Sequence, residues 1–272
     1  MTMDQLCEWY QISRQAHYQM KRRQQQRQQQ EEVVLALVRH KRQPHKRMGG
    51  RKLFHQLQPI WASQGIQLGR DQFFELLGRH KLLIQPKKRA TRTTWAGKWH
   101  YENLLTEATI SQPNQAWVND ITYIATEAGF VYLALVTDLH SRRIMGFDLS
   151  NSLCLEGALR ALQMAIKQAD QPLEGLIHHS DHGVQYISEP YQDLLNHHEI
   201  RPSMGQIGNC YDNAVAERVN GILKLEYGLD ELFVNQQQAL IEAIWLYNHD
   251  RPHLSLAYQT PVQVYEQFTY SH

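Results

Sequence analysis

The sequence predicts an α/β core built on a mixed sheet, preceded by an all-α, strongly basic N-terminal region. Three observations predict it. Strand-like apolar runs follow one another at 116-AWVNDITYI-124, 131-VYLALVTD-138 and 144-IMGFDL-149, and a helical stretch and a further strand come after them. Residues 31–90 carry only helical periodicity. The net charge of +1 hides a split: residues 1–100 hold 20 Lys+Arg against 6 Asp+Glu, and residues 101–272 hold 8 against 21, giving +14 and −13. An arm so basic suggests a nucleic-acid partner.

Residues 4–20 read as a short helix, a turn and a second helix that Ser13 can cap, with Leu6, Trp9 and Tyr10 expected beneath it. A single amphipathic helix is the alternative. The stretch 21-KRRQQQRQQQ-30 holds good helix formers and no apolar face, so it reads as a solvated helix or one lying along DNA. Val33, Val34, Leu37 and Val38 give the next helix one apolar face. After Pro44 and a break at Gly49-Gly50, Leu53, Leu57 and Ile60 start a second helix. Leu68 to Asp71 is a turn with Asp71 as its cap, and Phe73, Phe74, Leu76 and Leu77 form a third helix ending at 78–82. Residues 86–115 look like a basic linker, with Trp95 and Trp99 as local docking residues.

In the core, the first strand is rich in β-formers, and the second is apolar almost throughout, as a buried strand requires. Leu155, Ala158, Leu159, Leu162 and Ile166 mark a helix, Leu176–His179 a fourth strand, 188–198 a helix and 200–203 a short strand. A helix with Asp212 or Asn213 as cap follows the glycine-containing stretch 204–211. Gln236–Tyr247 is helical, 248–256 a loop, and Thr260 caps a last helix that opens on Pro261.

Three carboxylates stand out. Asp120 lies in the middle of the first strand, on one face with Val118, Thr122 and Ile124, where a charge is costly unless it is paired or holds a metal. For this strand alone, an aspartate at a frayed end is the alternative. Asp181 ends the strand of 177-IHHSDHGVQY-186, at the carboxyl end where open α/β sheets place ligands. Glu217 shares a helix face with Asn220, Gly221 and Lys224 at i, i+3, i+4, i+7. Taken singly, a helix glutamate is an ordinary surface residue. His178, His179 and His182 cluster beside Asp181. They read as lining or structural histidines rather than a zinc site.

The strings WVNDITYI, IHHSDHGVQY, GNCYDNAVAERVNGILKLE and 247-YNHDRPHLSL-256 closely resemble the IS-three family of insertion-sequence transposases, of the OrfB type, from about Gln112 to the C-terminus. The meander, helix and strand follow the RNase H-like order. By resemblance the fold is an RNase H-like, integrase-type catalytic core behind a helix-turn-helix DNA-binding region. The family's acidic triad falls on Asp120, Asp181 and Glu217, with the family's spacing of 35 residues between the last two. His182, Asn119 and the run Arg218 to Gly221 depart from the more usual residues, and none touches the triad.

The resemblance implies metal-dependent DNA cleavage and strand transfer with two Mg2+ (or Mn2+) ions per active site, Asp120 bridging them, Asp181 holding one and Glu217 the other. Hard cations call for oxygen ligands of this kind. Expected DNA contacts are Lys224, Arg218 and Asn213 near the glutamate, and Arg70, Arg79, Lys81, Lys87, Lys88 and Arg89 around the N-terminal helices. Expected domains are a basic helical arm at 1–30, a helix-turn-helix-like DNA-binding domain at 31–90, a linker at 91–112 and the core with C-terminal helices at 113–272.

Expected partners are DNA, as the element's terminal inverted repeats and as target, other copies of the chain on that DNA, and an upstream OrfA-type segment by fusion. Two other readings stay open: a DNA-binding regulator derived from a transposase, and a plain RNase H-like nuclease. Cys7, Cys154 and Cys210 are far apart, and no paired spacing points to zinc or a disulfide framework. No apolar run approaches a membrane span, and no signal peptide opens the chain, so a cytoplasmic, nucleoid-associated bacterial protein is expected.

Overall fold

The computed structural model describes residues 3–85, 101–126, 129–169, 171–205, 214–229 and 235–269. The chain divides into two compact units, Met1–Gln85 and Pro86–His272.

The first unit is helical, with α1 at Met3–Trp9, α2 at Arg14–Arg42, α3 at Gly50–Ser63 and α4 at Arg70–Arg79. Ser13 caps α2, its side chain accepting from the Ala16 amide at 3.1 Å. The helix then runs unbroken past residue 30, so the expected boundary between arm and DNA-binding domain falls inside α2. Good helix formers in 21–30 carry it across. Its buried face is Val34, Leu35 and Val38 rather than one including Val33, which is 39% exposed. These residues pack with Met48, Leu53, Leu57, Trp61, Phe73, Leu76 and Leu77. Ile60 is displaced from that core by Trp61, which stacks on Phe73 with ring centroids 5.3 Å apart.

Two further N-terminal expectations are corrected. Trp9 and Tyr10 are exposed, because Cys7 takes the inward face of α1 and Trp9 lies some 200° further round. Gly69, not Asp71, caps α4, with the Gln72 side chain accepting from the Gly69 amide at 3.2 Å. Asp71 lies in the first turn instead, where a carboxylate suits the helix dipole.

The second unit is built on a sheet of order β3-β2-β1-β4-β5: β1 Ala116–Thr126, β2 Gly129–Asp138, β3 Ile144–Ser150, β4 Ile177–Ser180 and β5 Arg201–Met204. The first three strands form an antiparallel meander, while β4 and β5 run parallel to β1. Helices α5 at Leu155–Ala169 and α6 at Glu189–His197 follow the strands that precede them, and α7 at Ala214–Glu226, α8 at Gln236–His249 and α9 at Pro261–Thr269 complete the unit. Thr260 caps α9 as expected, its Oγ1 accepting from the Gln263 amide. Asn248 lies inside α8, and the loop expected from there contains a short 3-10 turn at Leu254–Leu256.

Alternation divides the core between the sheet's two faces. Ala134 and Val136 of β2 pack with Ala158, Ala161, Leu162 and Ala165 of α5, while Leu133 and Leu135 pack with Val219, Ile222 and Leu223 of α7 and Leu240 and Ile244 of α8. Small residues let α5 lie close. A Cβ on Gly146 would run into the Ala161 carbonyl oxygen.

The described part of the expected linker, 101–112, is not a bare tether. Its backbone uses β5 as a partner, with the Leu104 amide donating to Ser203 Oγ at 3.0 Å and the Met204 amide to the Glu102 carbonyl at 3.4 Å. Tyr101 donates to Gln192 Oε1 of α6 at 2.9 Å. Trp95 and Trp99 lie outside the described residues.

Candidate active site

Three elements of the second unit carry the three carboxylates: β1 holds Asp120, the end of β4 leads to Asp181, and α7 holds Glu217. β1 and β4 are paired in register from Ala116↔Ile177 to Val118↔His179, after which β1 continues alongside β2 alone. Two residues further along that register stand Asp120 and Asp181, where the parallel strands part. Asn119 ties the parting point, its Nδ2 donating to the His179 carbonyl at 3.2 Å. Asp120 pairs with Leu135 across the antiparallel ladder, so it points to the face that carries α7.

Helix α7 is docked on β1 by two polar contacts. Asn220 Nδ2 donates to Asp120 Oδ2 at 2.6 Å, and Lys224 Nζ donates to Thr122 Oγ1 at 2.6 Å, with Lys224 also 4.8 Å from the centroid of the Tyr123 ring. Residues i and i+4 on the helix thus meet i and i+2 on the strand. Glu217, one turn before Asn220, shares that helix face and is exposed. Asn220 is 5% exposed, and its Oδ1 has no hydrogen-bond partner among the described residues. The expectation that the departures at 218–221 leave the triad untouched is corrected: Asn220, one of them, holds Asp120, and i, i+3 spacing from Glu217 places it on the face for that contact. The spacing Glu-x-x-Asn opposite a strand aspartate was the available signal.

Electrostatics report the convergence. The Asp120 carboxyl is pushed up to about 7 by burial first and then by the Asp181 charge, with Glu217 adding to it and the Asn220 hydrogen bond opposing. Asp181 is half-buried and uses Oδ1 to accept the Gly183 amide at 3.0 Å, which turns the chain sharply at the strand end.

The donor set suits a hard divalent cation, being three carboxylates with no thiol among them. Among the described residues, no group of three His, Cys, Asp or Glu is already gathered closely enough to hold a metal ion. Asp120 nevertheless feels both other charges, and a cation would relieve that repulsion. The neighbouring histidines are engaged in the scaffold. His178 Nε2 is 2.8 Å from Tyr191 Oη, His179 Nδ1 is 2.9 Å from Ser203 Oγ, and His182 Nε2 is 2.6 Å from the Gly205 carbonyl. Burial lowers the His178 pKa to about 3, so it is neutral.

The expected DNA contacts divide. Lys224 is held at the site, and Arg218 is exposed on α7. In the first unit, Arg70 pairs with Asp71 at 3.0 Å, Arg79 is tied to Glu31 of α2 at 2.8 Å, and Lys81 is exposed just after α4. Asn213, Lys87, Lys88 and Arg89 lie outside the described residues, as does Asp212, the other candidate cap of α7.

A mixed sheet of this order, an antiparallel meander of β1 to β3 with β4 and β5 parallel to β1 and helices α5, α7 and α8 packed on it, is that of an integrase-type RNase H-like core. Integrase core domain families match residues 110–210 and 198–261. The 31-kDa protein of insertion element IS600 from Shigella sonnei is 32% identical over 97% of this chain and 98% of its own length. Transposase InsF of insertion sequence IS3A from Escherichia coli is 42% identical over 50% of this chain and 47% of its own. The chain therefore belongs to the integrase-core family of insertion-sequence transposases, in the IS-three group.

Among solved structures, a chain of the simian T-cell lymphotropic virus intasome bound to PP2A regulatory subunit B56 gamma is similar with a TM-score of 0.50 and 20% identity. That match covers 80% of this chain and 74% of the other, and it speaks to the fold alone.

Proposed function

We propose that the chain is the catalytic protein of an insertion sequence: a DDE-type polynucleotidyl transferase that cleaves DNA at the element's ends and joins the freed ends to target DNA. The observation that carries this is the Asp120 carboxyl, held by Asn220 and pushed up to about 7 by burial and by the charges of Asp181 and Glu217. Like charges this near disfavour the ionised form of Asp120, and a bound cation would relieve that cost. Family membership supports the same chemistry.

Asp120, Asp181 and Glu217 would hold two Mg2+ or Mn2+ ions. When bound, such ions activate the attacking oxygen and stabilise the leaving one in an in-line phosphodiester displacement. The protein's own residues do the placing. Asn220 fixes the rotamer of Asp120 through Oδ2. Thr122 and the Tyr123 ring hold Lys224 about two turns beyond Glu217, where its ammonium can meet a phosphate. No side chain needs to become attached to DNA. The helical unit would bind the terminal inverted repeats, with α4 as the groove-entering helix of a helix-turn-helix and its cations on phosphates.

On this reading the domains are a DNA-binding unit to about residue 85 and a catalytic unit from about 101, acting as several copies on DNA and joined in some products to an upstream segment. Cytoplasmic action at the nucleoid belongs to the same proposal. Among the described residues, no helix is long and apolar enough to cross a membrane.

The test is incubation of the purified chain with labelled element ends and Mg2+. Cleavage and joining that vanish with chelator and in Glu217→Gln are expected. Metal-independent products, or wild-type products from Glu217→Gln, would refute the reading.

A further inference from the structure

The segment 247-YNHDRPH-253 takes no part in the carboxylate site, yet its side chains reach two elements of the core at once. Tyr247 Oη donates to the Arg142 carbonyl at 3.1 Å. Asn248, 6% exposed, spends its whole amide on one residue: Oδ1 accepts from the Ile144 amide at 2.9 Å and Nδ2 donates to the Ile144 carbonyl at 3.0 Å. Ile144 opens β3, the outer strand of the sheet, so Asn248 pairs with that edge as a neighbouring strand's backbone would.

Three residues on, Arg251 is 2% exposed. Its Nε and Nη2 donate to Glu226 Oε2 and Oε1, each at 2.8 Å, and its Nη1 lies 3.0 Å from His253 Nε2, which accepts. The His253 ring in turn stands edge-on to Tyr247, with centroids 4.9 Å apart.

Glu226 is the last residue of α7, and Glu217 lies in that helix's first turn. At 100° per residue, the nine steps from Glu217 to Glu226 place Glu226 about 180° round the helix. One face of α7 is therefore tied to β1 through Asn220 and Lys224, and the opposite face is tied through Arg251 to a segment pinned on β3. The first tie alone is poorly suited to its task, because Asp120 and Asp181 repel a carboxylate brought up to them. A bidentate guanidinium–carboxylate pair fixes angle as well as distance, and a lysine cannot reproduce that fork.

We propose that residues 247–253 form a brace that sets the roll of α7 and so aims Glu217, with Arg251 and Glu226 as positioning residues. The proposal rests on the reading of Glu217 as a metal-holding carboxylate.

The test compares the full-length wild type with Arg251→Lys and with the double variant Glu226→Met/Arg251→Met. Hydrogen exchange of α7 amides against those of α5 is measured without DNA or metal. Strand transfer is measured across Mn2+ concentrations. In Arg251→Lys, α7 exchange should accelerate selectively, and the Mn2+ needed for half-maximal transfer should rise about tenfold, the low end for loss of a supporting residue.

The double variant removes both charges of the pair together, so neither Arg251's buried site nor half-buried Glu226 is left with an unpaired charge. It should fold and still need more Mn2+. Unchanged α7 exchange in Arg251→Lys overturns the brace. So does a wild-type Mn2+ requirement in a folded double variant, which would reduce the pair to packing. A wild-type chain that cuts no DNA counts against the proposed function, and the exchange result still decides whether the brace exists.

Discussion

Asp138 closes β2 with 0% exposure and three donors aimed at it: the Ser141 amide at 2.7 Å, Ser141 Oγ at 2.6 Å and the Asn114 amide at 2.8 Å. Asp120, on the neighbouring strand, has Asn220 as its side-chain donor and two carboxylates for company. Burial raises the pKa of both. At Asp138 three donors offset part of that cost, and the group pins the turn at 139–143 and the start of β1. At Asp120 the Asp181 and Glu217 charges add to the cost, and the Asn220 and Ile121 hydrogen bonds offset only part of it. Burial met mainly by hydrogen-bond donors belongs to architecture, and burial beside like charges suits a site that a cation would relieve.

That contrast is broken most directly by neutralising each aspartate. Asp120→Asn should lower strand transfer by about 10²–10³-fold or more, the scale of losing one preorganised charged group. Its melting temperature in chelator should be no lower than wild type, because repulsion is removed. Asp138→Asn should do the reverse. Its amide must face a backbone N–H, leaving donors unmet at about 1–3 kcal/mol each, while transfer per folded molecule stays near wild type. Denaturant melts and transfer assays on the two variants decide it, and a shared phenotype would erase the distinction.

A second way to sharpen it uses pH. Between the ordinary value of 3.8 and about 7, Asp120 is protonated in the folded metal-free chain and ionised in the unfolded one. The unfolded state then binds fewer protons, so this group makes stability fall as pH rises through that window and level off above it. The melting temperature of wild type relative to Asp120→Asn, followed in chelator from pH 4 to 8, should decline over that range. A flat difference would mean that Asp120 is not perturbed.

The smallest effect concerns Lys224. Its replacement by alanine should weaken engagement of the DNA end and lower the salt slope of binding by about one, as loss of one phosphate contact does. An unchanged slope would confine Lys224 to its contact with Thr122.

Much of this was legible in the residues. The strands, α5 and the Ser13 and Thr260 caps follow from period, branching and capping chemistry, while the choice of Asp120, Asp181 and Glu217 as a set rests on the family resemblance. What was not legible came from competition between residues of similar type. Ile60 and Trp61 both suit a core, and only the stacking on Phe73 chooses Trp61. Asp71 and Gly69 both suit a cap, and Gln72 reaching back decides for Gly69. The continuity of α2 through a stretch with no apolar face could not be read from periodicity, which is silent on a solvated helix. Asn220 escaped notice because its partner lies 100 residues away in sequence.

The central claim is that Asp120, Asp181 and Glu217 make one cation site. Calorimetric titration of the full chain with Mn2+ at pH 7.5, in wild type, Asp120→Asn, Asp181→Asn and Glu217→Gln, tests it without DNA or catalysis. Wild type should bind, and each variant should bind at least about tenfold more weakly, the scale seen when a metal site loses a supporting group. Wild-type affinity in all three variants would contradict it.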